Sequence, residues 1–154
     1  DEYSNRIKLE YFNKLEVMEN KIRKQKNYHI YDSNSWVHDC VNELISKNIG
    51  SGYYLVERVT VLKYESGDFF LKHKDGPYNT QLNPSLPNHF YGGVELNERH
   101  EFCGGEFFIN DKIINFKKGR MFTHGFSDSH GVNMVTSGTR WSIHFLINNK
   151  INLI

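Results

Sequence analysis

Residues 61–75, VLKYESGDFFLKHKD, end in a His-x-Asp pair, and residues 129–147, SHGVNMVTSGTRWSIHFLI, open on a histidine with an arginine ten residues after it. His73 and Asp75 stand two apart at the end of a strand-like run, so their side chains point to one face of a sheet. One strand cannot supply three adjacent vertices of an octahedron. A third ligand must come from elsewhere, and His130 is the candidate. Two imidazoles and one carboxylate leave three positions open, which suits non-haem Fe(II) binding a bidentate cosubstrate together with oxygen. Zinc more often draws three or four protein ligands and keeps one open position.

A lone His-x-Asp carries little weight in a chain with eight histidines. Arg140 adds weight, because an arginine buried in a barrel is costly unless an anion pairs with it, and its planar fork suits a carboxylate. Strand parity extends the pattern. If Arg140 faces the interior, so do Ser142, His144 and Leu146, while Trp141, Ile143, Phe145 and Ile147 form the packing face. The same count turns Val132 and Met134 inward from His130, and puts Tyr64 on one face with Leu62 and Thr60.

Other histidines give weaker signals. His124 either supports the site from behind or displaces His130 as ligand. His144, with Ser142 beside it, either hydrogen-bonds a cosubstrate or water or is a satisfied interior side chain. His29, His89 and His100 are expected to be solvated. Glu101 and Glu106 flank the Gly104-Gly105 turn without an evident partner, and Lys117, Lys118 and Arg120 read as a solvated turn.

The elements that must position these residues are mostly strands. Period-two segments at 53–64, 68–73, 90–96, 105–110, 112–116, 120–124, 131–136 and 139–148 are eight short strands with brief turns, the pattern of a jelly-roll or sandwich. Helices come first. Ile7, Tyr11, Leu15, Met18 and Ile22 recur at helical spacing and predict an amphipathic helix over 4–26. A second helix is expected over 33–47, capped by Asp32, Ser33 or Asn34 and ended by Gly50, with His38 and Asp39 facing solvent. Because helices precede strands instead of alternating with them, a parallel α/β sheet is disfavoured. The expected layout is a helical segment, 1–52, packed on a strand-rich core, 53–154. The run GPYNTQLNPSLPNH, 76–89, holds all three prolines and follows the His-x-Asp pair directly, so Pro77, Tyr78 and Asn79 are expected in a lid at the mouth of the site.

Composition sets bounds. One domain with a real core is expected from 154 residues, of which 38% are hydrophobic and 14% aromatic. A net charge of +1 asks for no polyanion, so nucleic-acid binding is not expected. Cys40 and Cys103 form no Cys-x-x-Cys unit and read as free thiols, favouring a reducing compartment such as the cytoplasm. The charged start DEYSNRIKLE is not a signal peptide, no apolar run reaches membrane-spanning length, and the missing initiator Met fits a trimmed or mature fragment.

The ordered set Tyr64-x-x-Gly67-x-x-Phe70-x-x-His73-x-Asp75, GGEFFI from Gly104, KKGRMF from Lys117 and HGVNMVTSGTR from His130 resembles the 2-oxoglutarate- and Fe(II)-dependent oxygenases. It is most similar to their prolyl 4-hydroxylase and lysyl hydroxylase branch. The resemblance covers 59–147 and implies a mainly β fold with N-terminal helices, an α+β chain whose core is a double-stranded β-helix, a jelly-roll or cupin-like barrel of about eight antiparallel strands. It implies that His73, Asp75 and His130 bind Fe(II), and that Arg140 and Tyr64 hold the distal carboxylate of 2-oxoglutarate. Oxygen is the second cosubstrate, with ascorbate as an accessory reductant. The implied reaction hydroxylates an unactivated C–H bond and releases succinate and carbon dioxide. A peptide or protein prolyl residue is the first expected substrate, and a lysyl residue or small molecule the second. The chain departs from the branch at Arg140, where collagen-type enzymes carry Lys, at Phe70, and at Gly92-Gly93. A rival of another class is a non-catalytic jelly-roll binding module, which has no reason to bury Arg140 with Tyr64.

Overall fold

The structure, a computed structural model, describes residues 2–50, 54–75, 89–115, 117–125 and 127–149. Helix α1, Glu2–Tyr11, has Glu2 in its first turn and Lys8 in its last, each matched to the local end of the helix dipole. It buries Ser4, Ile7 and Tyr11.

The helix expected to continue to residue 26 stops there. Strands β1, Glu16–Glu19, and β2, Arg23–Ile30, follow as an antiparallel hairpin. The Asn20 side-chain oxygen accepts the backbone N–H groups of Ile22 and Arg23 at 3.0 and 3.1 Å, so a local side-chain turn replaces the helical ladder. β2 enters the main sheet, so residues before 52 do more than lay helices on a barrel.

Helix α2, Trp36–Asn48, is capped by Ser35, whose Oγ accepts from the His38 N–H. The cap lies one residue beyond the three expected candidates. Val37, Val41 and Ile45 face the core. His38 joins them, only 1% exposed, because Ser35 Oγ pairs with its Nδ1 at 2.8 Å. The expectation of a solvent-facing His38 is corrected by that local bond; Asp39 is exposed as expected.

The remaining elements are β3 (Tyr54–Tyr64), β4 (Phe69–His73), β5 (His89–Glu95), a 3-10 turn (Arg99–Glu101), β6 (Phe102–Gly104), β7 (Phe107–Ile109), β8 (Lys112–Ile113), β9 (Met121–Gly125), β10 (His130–Val132), β11 (Val135–Gly138) and β12 (Arg140–Asn149). Nine strands run in the order β8-β7-β10-β4-β2-β3-β12-β5-β9, with β1 beside β2, and β6 pairs β11 in a separate ribbon. All pairings are antiparallel.

The chain is mainly β, and its large sheet curls on itself as a half-barrel. Phe107 of β7 and Phe122 of β9 come from opposite ends of the strand order, yet their rings meet at 4.6 Å. This is the expected double-stranded β-helix architecture, with two helices on one face. Trp141, Ile143, Phe145 and Ile147 pack with Val59, Val61 and Val94 against Val37 and Val41 of α2, as strand parity predicted. The opposite face lines the interior. The strand expected over 131–136 is broken: β10 ends at Val132, and Met134 is 51% exposed instead of facing inward. The break brings Met134's carbonyl to 2.2 Å from where a Cβ on Gly104 would stand, and Gly104 has φ +69°, so both space and conformation require glycine.

Gly92 and Gly93 acquire a reason in the packing. A Cβ on Gly92 would lie 2.3 Å from the Phe145 ring, and one on Gly93 2.2 Å from the Phe122 ring. The two aromatic rings fill the volume that side chains on β5 would otherwise take.

Candidate metal centre and acid pocket

A cavity of about 300 Å³ opens on the interior face, with His73, Asp75 and His130 at one end and Arg140 and Tyr64 also on its walls. His73 ends β4 and His130 begins β10, and the antiparallel register places the two directly opposite. Their rings are 4.3 Å apart. A carbonyl can only accept, so His73 Nδ1–H donates to Leu71 O at 2.7 Å and His130 Nδ1–H donates to Asp128 O at 3.1 Å. Each ring is thereby oriented with Nε2 inward, as metal-binding imidazoles are oriented by their outer nitrogen.

Asp75 completes the group. Its Oδ1 is 3.5 Å from His73 Nε2 and its Oδ2 is 3.1 Å from His130 Nε2. These are close electrostatic contacts without hydrogen-bond alignment: His73 Nε2 and Asp75 Oδ2 are both buried with no hydrogen-bond partner. Burial would raise the Asp75 carboxyl, but the neighbouring His130 and His73 outweigh it and hold it below the usual carboxylate range. At His130, burial is opposed by Asp75, and the ring's affinity for a proton is raised. The Phe70 ring stacks on His73 at 3.7 Å and fixes its plane.

Behind His130 lies a second histidine pair. His124 on β9 is 4% exposed and its ring is 4.1 Å from that of His130. Its Nδ1–H donates to Gly125 O at 3.1 Å, and its Nε2 stands 3.2 Å from His144 Nε2. Burial lowers His124 to about 4 and His144 to about 3, so both are neutral near pH 7. With the His124 proton on Nδ1, His144 Nε2–H must donate to His124 Nε2. Asp75, His124 and His144 bring ligand atoms within 4.8 Å, as His73, Asp75 and His130 do. The trios differ in satisfaction. His124 and His144 bond each other, whereas the His73–Asp75–His130 trio leaves buried atoms orphaned, which favours the latter as the metal holder.

At the acid end, Arg140 opens β12 opposite Tyr64 of β3, its guanidinium carbon 5.5 Å from the Tyr64 ring centroid. They are 2% and 1% exposed. Burial raises the Tyr64 hydroxyl far above its ordinary value, so it is a neutral donor. Arg140 is not free. Its Nε donates to Glu95 Oε2 at 2.9 Å and its Nη2 reaches the same oxygen at 2.9 Å. The sequence pointed Arg140 at an external carboxylate and named no partner within the chain; the sheet supplies Glu95, whose β5 register sets it beside Ser142 on the same inward face.

The cavity wall holds further groups that sequence reading missed. Arg23, Gln25, Asn27 and His29 of β2 all line it, together with Ser142, which strand parity turns inward. Gln25 is 2% and Asn27 6% exposed. Their signal was present as polar residues at every second position, hidden by the helical stripe before them. His29, expected to be solvated, pairs through Nδ1 with Thr60 Oγ1 at 2.8 Å. His100, Lys117 and Arg120 are exposed as expected. Glu101 closes a capping box with Glu98, and Glu106 pairs with Arg99 at 3.4 Å. Pro77, Tyr78 and Asn79, expected in a lid, and the His89 side chain lie outside the described residues. Cys40 and Cys103 are free thiols, and no described helix is long and apolar enough to cross a membrane.

No protein-family model matches the sequence, and no curated protein matches it. Solved structures do match. A Pseudomonas putida prolyl-4-hydroxylase superposes with TM-score 0.67 at 14% identity, over 94% of this chain and 85% of that one. A Burkholderia pseudomallei oxidoreductase of the 2OG-Fe(II) oxygenase family gives 0.65 at 15%, over 87% and 72%. The viral collagen prolyl hydroxylase of Paramecium Bursaria Chlorella virus-1, in its 2OG complex, gives 0.63 at 20%, over 82% and 80%. The curled sheet with its two helices is therefore a fold that this chain shares with these prolyl-4-hydroxylase and 2OG-Fe(II) oxygenase structures.

Proposed function

We propose that the chain is an Fe(II)- and 2-oxoglutarate-dependent oxygenase that hydroxylates an unactivated C–H bond, with a prolyl residue in a peptide or protein as its substrate. The observation that carries the reading is the convergence of His73 Nε2, Asp75 and His130 Nε2 with buried, unpartnered ligand atoms at one end of a cavity that also reaches Arg140. Orphaned buried polar atoms are costly, and a divalent cation satisfies them together. Two imidazoles and a carboxylate fit Fe(II), which when bound supplies the oxygen-activating redox chemistry with 2-oxoglutarate as the reductant.

The chain's own groups then have separate tasks. His73 and His130 present their Nε2 atoms because backbone carbonyls hold their Nδ1–H groups. Asp75 supplies the negative charge. Phe70 and Phe107 keep apolar surface against the His rings, at 3.7 and 6.1 Å between centroids. Tyr64 and Arg140 provide donors for the far carboxylate of 2-oxoglutarate, and Ser142 lies beside them. The prolyl assignment follows the branch resemblance and the names of two of the three similar structures.

The test is anaerobic addition of Fe(II) and 2-oxoglutarate, watching for the weak visible metal-to-ligand charge-transfer band. The wild type should show it and His73→Ala should not. A wild type that binds Fe(II) but develops no band with any 2-oxo acid would overturn the reading. Substrate class is then read by a mass gain of one oxygen across proline-containing and lysine-containing peptides.

A further inference from the structure

Glu95 divides two cavities. Arg140 lines the cavity that holds the metal trio, whereas Glu95 lines a neighbouring one of about 260 Å³ that also contains Asn97, Arg99 and Glu106. Glu95 reaches across to Arg140 with one oxygen only: both contacts, from Nε and Nη2, end on Oε2, and Oε1 is buried without a partner. Its side chain is 3% exposed. A carboxylate held by one oxygen, with the other orphaned, is an incompletely satisfied buried ion.

We propose that Glu95 is a displaceable internal occupant of the Arg140 anchor and sets the chain's selectivity among 2-oxo acids. The inference rests on the oxygenase reading above. With Glu95 in place the anchor carries no net charge, so an incoming distal carboxylate gains little from Arg140 and meets a like charge beside it. To form the full bidentate contact, the acid replaces Glu95 on Nε and Nη2. Glu95 then turns into the second cavity, where the guanidinium of Arg99, which donates to Phe102 O at 2.9 Å and contacts Glu106, is the cation that receives it. Part of the binding energy of 2-oxoglutarate is spent on that exchange. Short 2-oxo acids with an uncharged tail reach the metal without it. Burial raises the Glu95 carboxyl, consistent with an anion that is poorly compensated where it stands.

The experiment uses the full chain loaded anaerobically with Fe(II), and titrates the charge-transfer band with 2-oxoglutarate and with 2-oxovalerate. In the wild type the two affinities should lie within about tenfold of each other, because the gain from the distal charge-assisted contact is offset by displacement. In Glu95→Gln, 2-oxoglutarate should bind at least about tenfold more tightly, with 2-oxovalerate unchanged. Arg99→Gln should weaken 2-oxoglutarate alone. A wild type that already prefers 2-oxoglutarate by more than about tenfold overturns the proposal whether or not the variants fold, and so does a Glu95→Gln chain with unchanged or weaker 2-oxoglutarate affinity. Absence of a band with either acid in every protein removes the oxygenase reading itself, a result distinct from equal binding of the two acids.

Discussion

The two ends of the cavity are built in opposite ways. At the metal end, three side chains from two adjacent strands and the residues just after them aim ligand atoms at one point and leave His73 Nε2 and Asp75 Oδ2 without hydrogen bonds. At the acid end, Arg140 and Glu95 are equally buried and paired through one carboxylate oxygen, with Glu95 Oε1 left over. The contrast separates a place prepared for an external group from a place where an external group must compete. Both ends contain opposite charges at close range, so proximity of charge alone does not distinguish them; what does is that Arg140 donates twice to Glu95 whereas the metal trio makes no aligned hydrogen bond within itself.

The sharpest way to break the contrast is at the metal end. His73→Ala or His130→Ala should lower Fe(II) or Co(II) affinity by more than about a hundredfold, since ligand loss exceeds the 10–100-fold cost typical of outer-shell changes. Isothermal titration with the metal alone measures it. Retained tight binding in His130→Ala, lost in His124→Ala, would instead assign the metal to the trio of Asp75, His124 and His144.

Next in size is Arg140→Ala, which leaves the Glu95 carboxylate buried without its cation and should destabilise the fold by about 3–5 kcal/mol. Urea unfolding reads it. The pair Arg140→Met with Glu95→Leu removes both charges and should recover most of that loss. If the single variant is as stable as wild type, the acid end is wetter and less committed than its 2% exposure indicates.

Between the two ends runs β5, whose Gly93 backs onto Phe122 and the interior. Gly93→Val should cost about 1–3 kcal/mol by overpacking. A thermal melt that moves by less than a degree would show that Phe122 gives way. Smallest of all, His124→Ala should lower metal affinity by no more than about tenfold, because His124 touches the trio through ring contact and through His144 without completing it.

These effects differ in how far they could be read in advance. His73, Asp75 and His130 were legible because each lies in a short motif at a strand end. The inward set Arg140, Ser142 and His144 was legible because a strand's alternation is local. Residues 12–26 were misread, since apolar spacing over 7–22 mimics a helix and nothing local says that β3 and β4 will both offer β2 a ladder. His38 was misplaced by a helical-wheel argument that could not include Ser35's grip on its ring.

The sequence by itself determined which atoms could bind a metal and which side chains of β3 and of β12 share a face, because residue chemistry and the two-residue period need no partner strand. The tertiary structure decided what each group meets. Glu95 lies 45 residues from Arg140, and β5 becomes the neighbour of β12 only when the two pair in the sheet. The charge state of the anchor is a property of strand order and register, which are fixed by the whole core and by no segment alone.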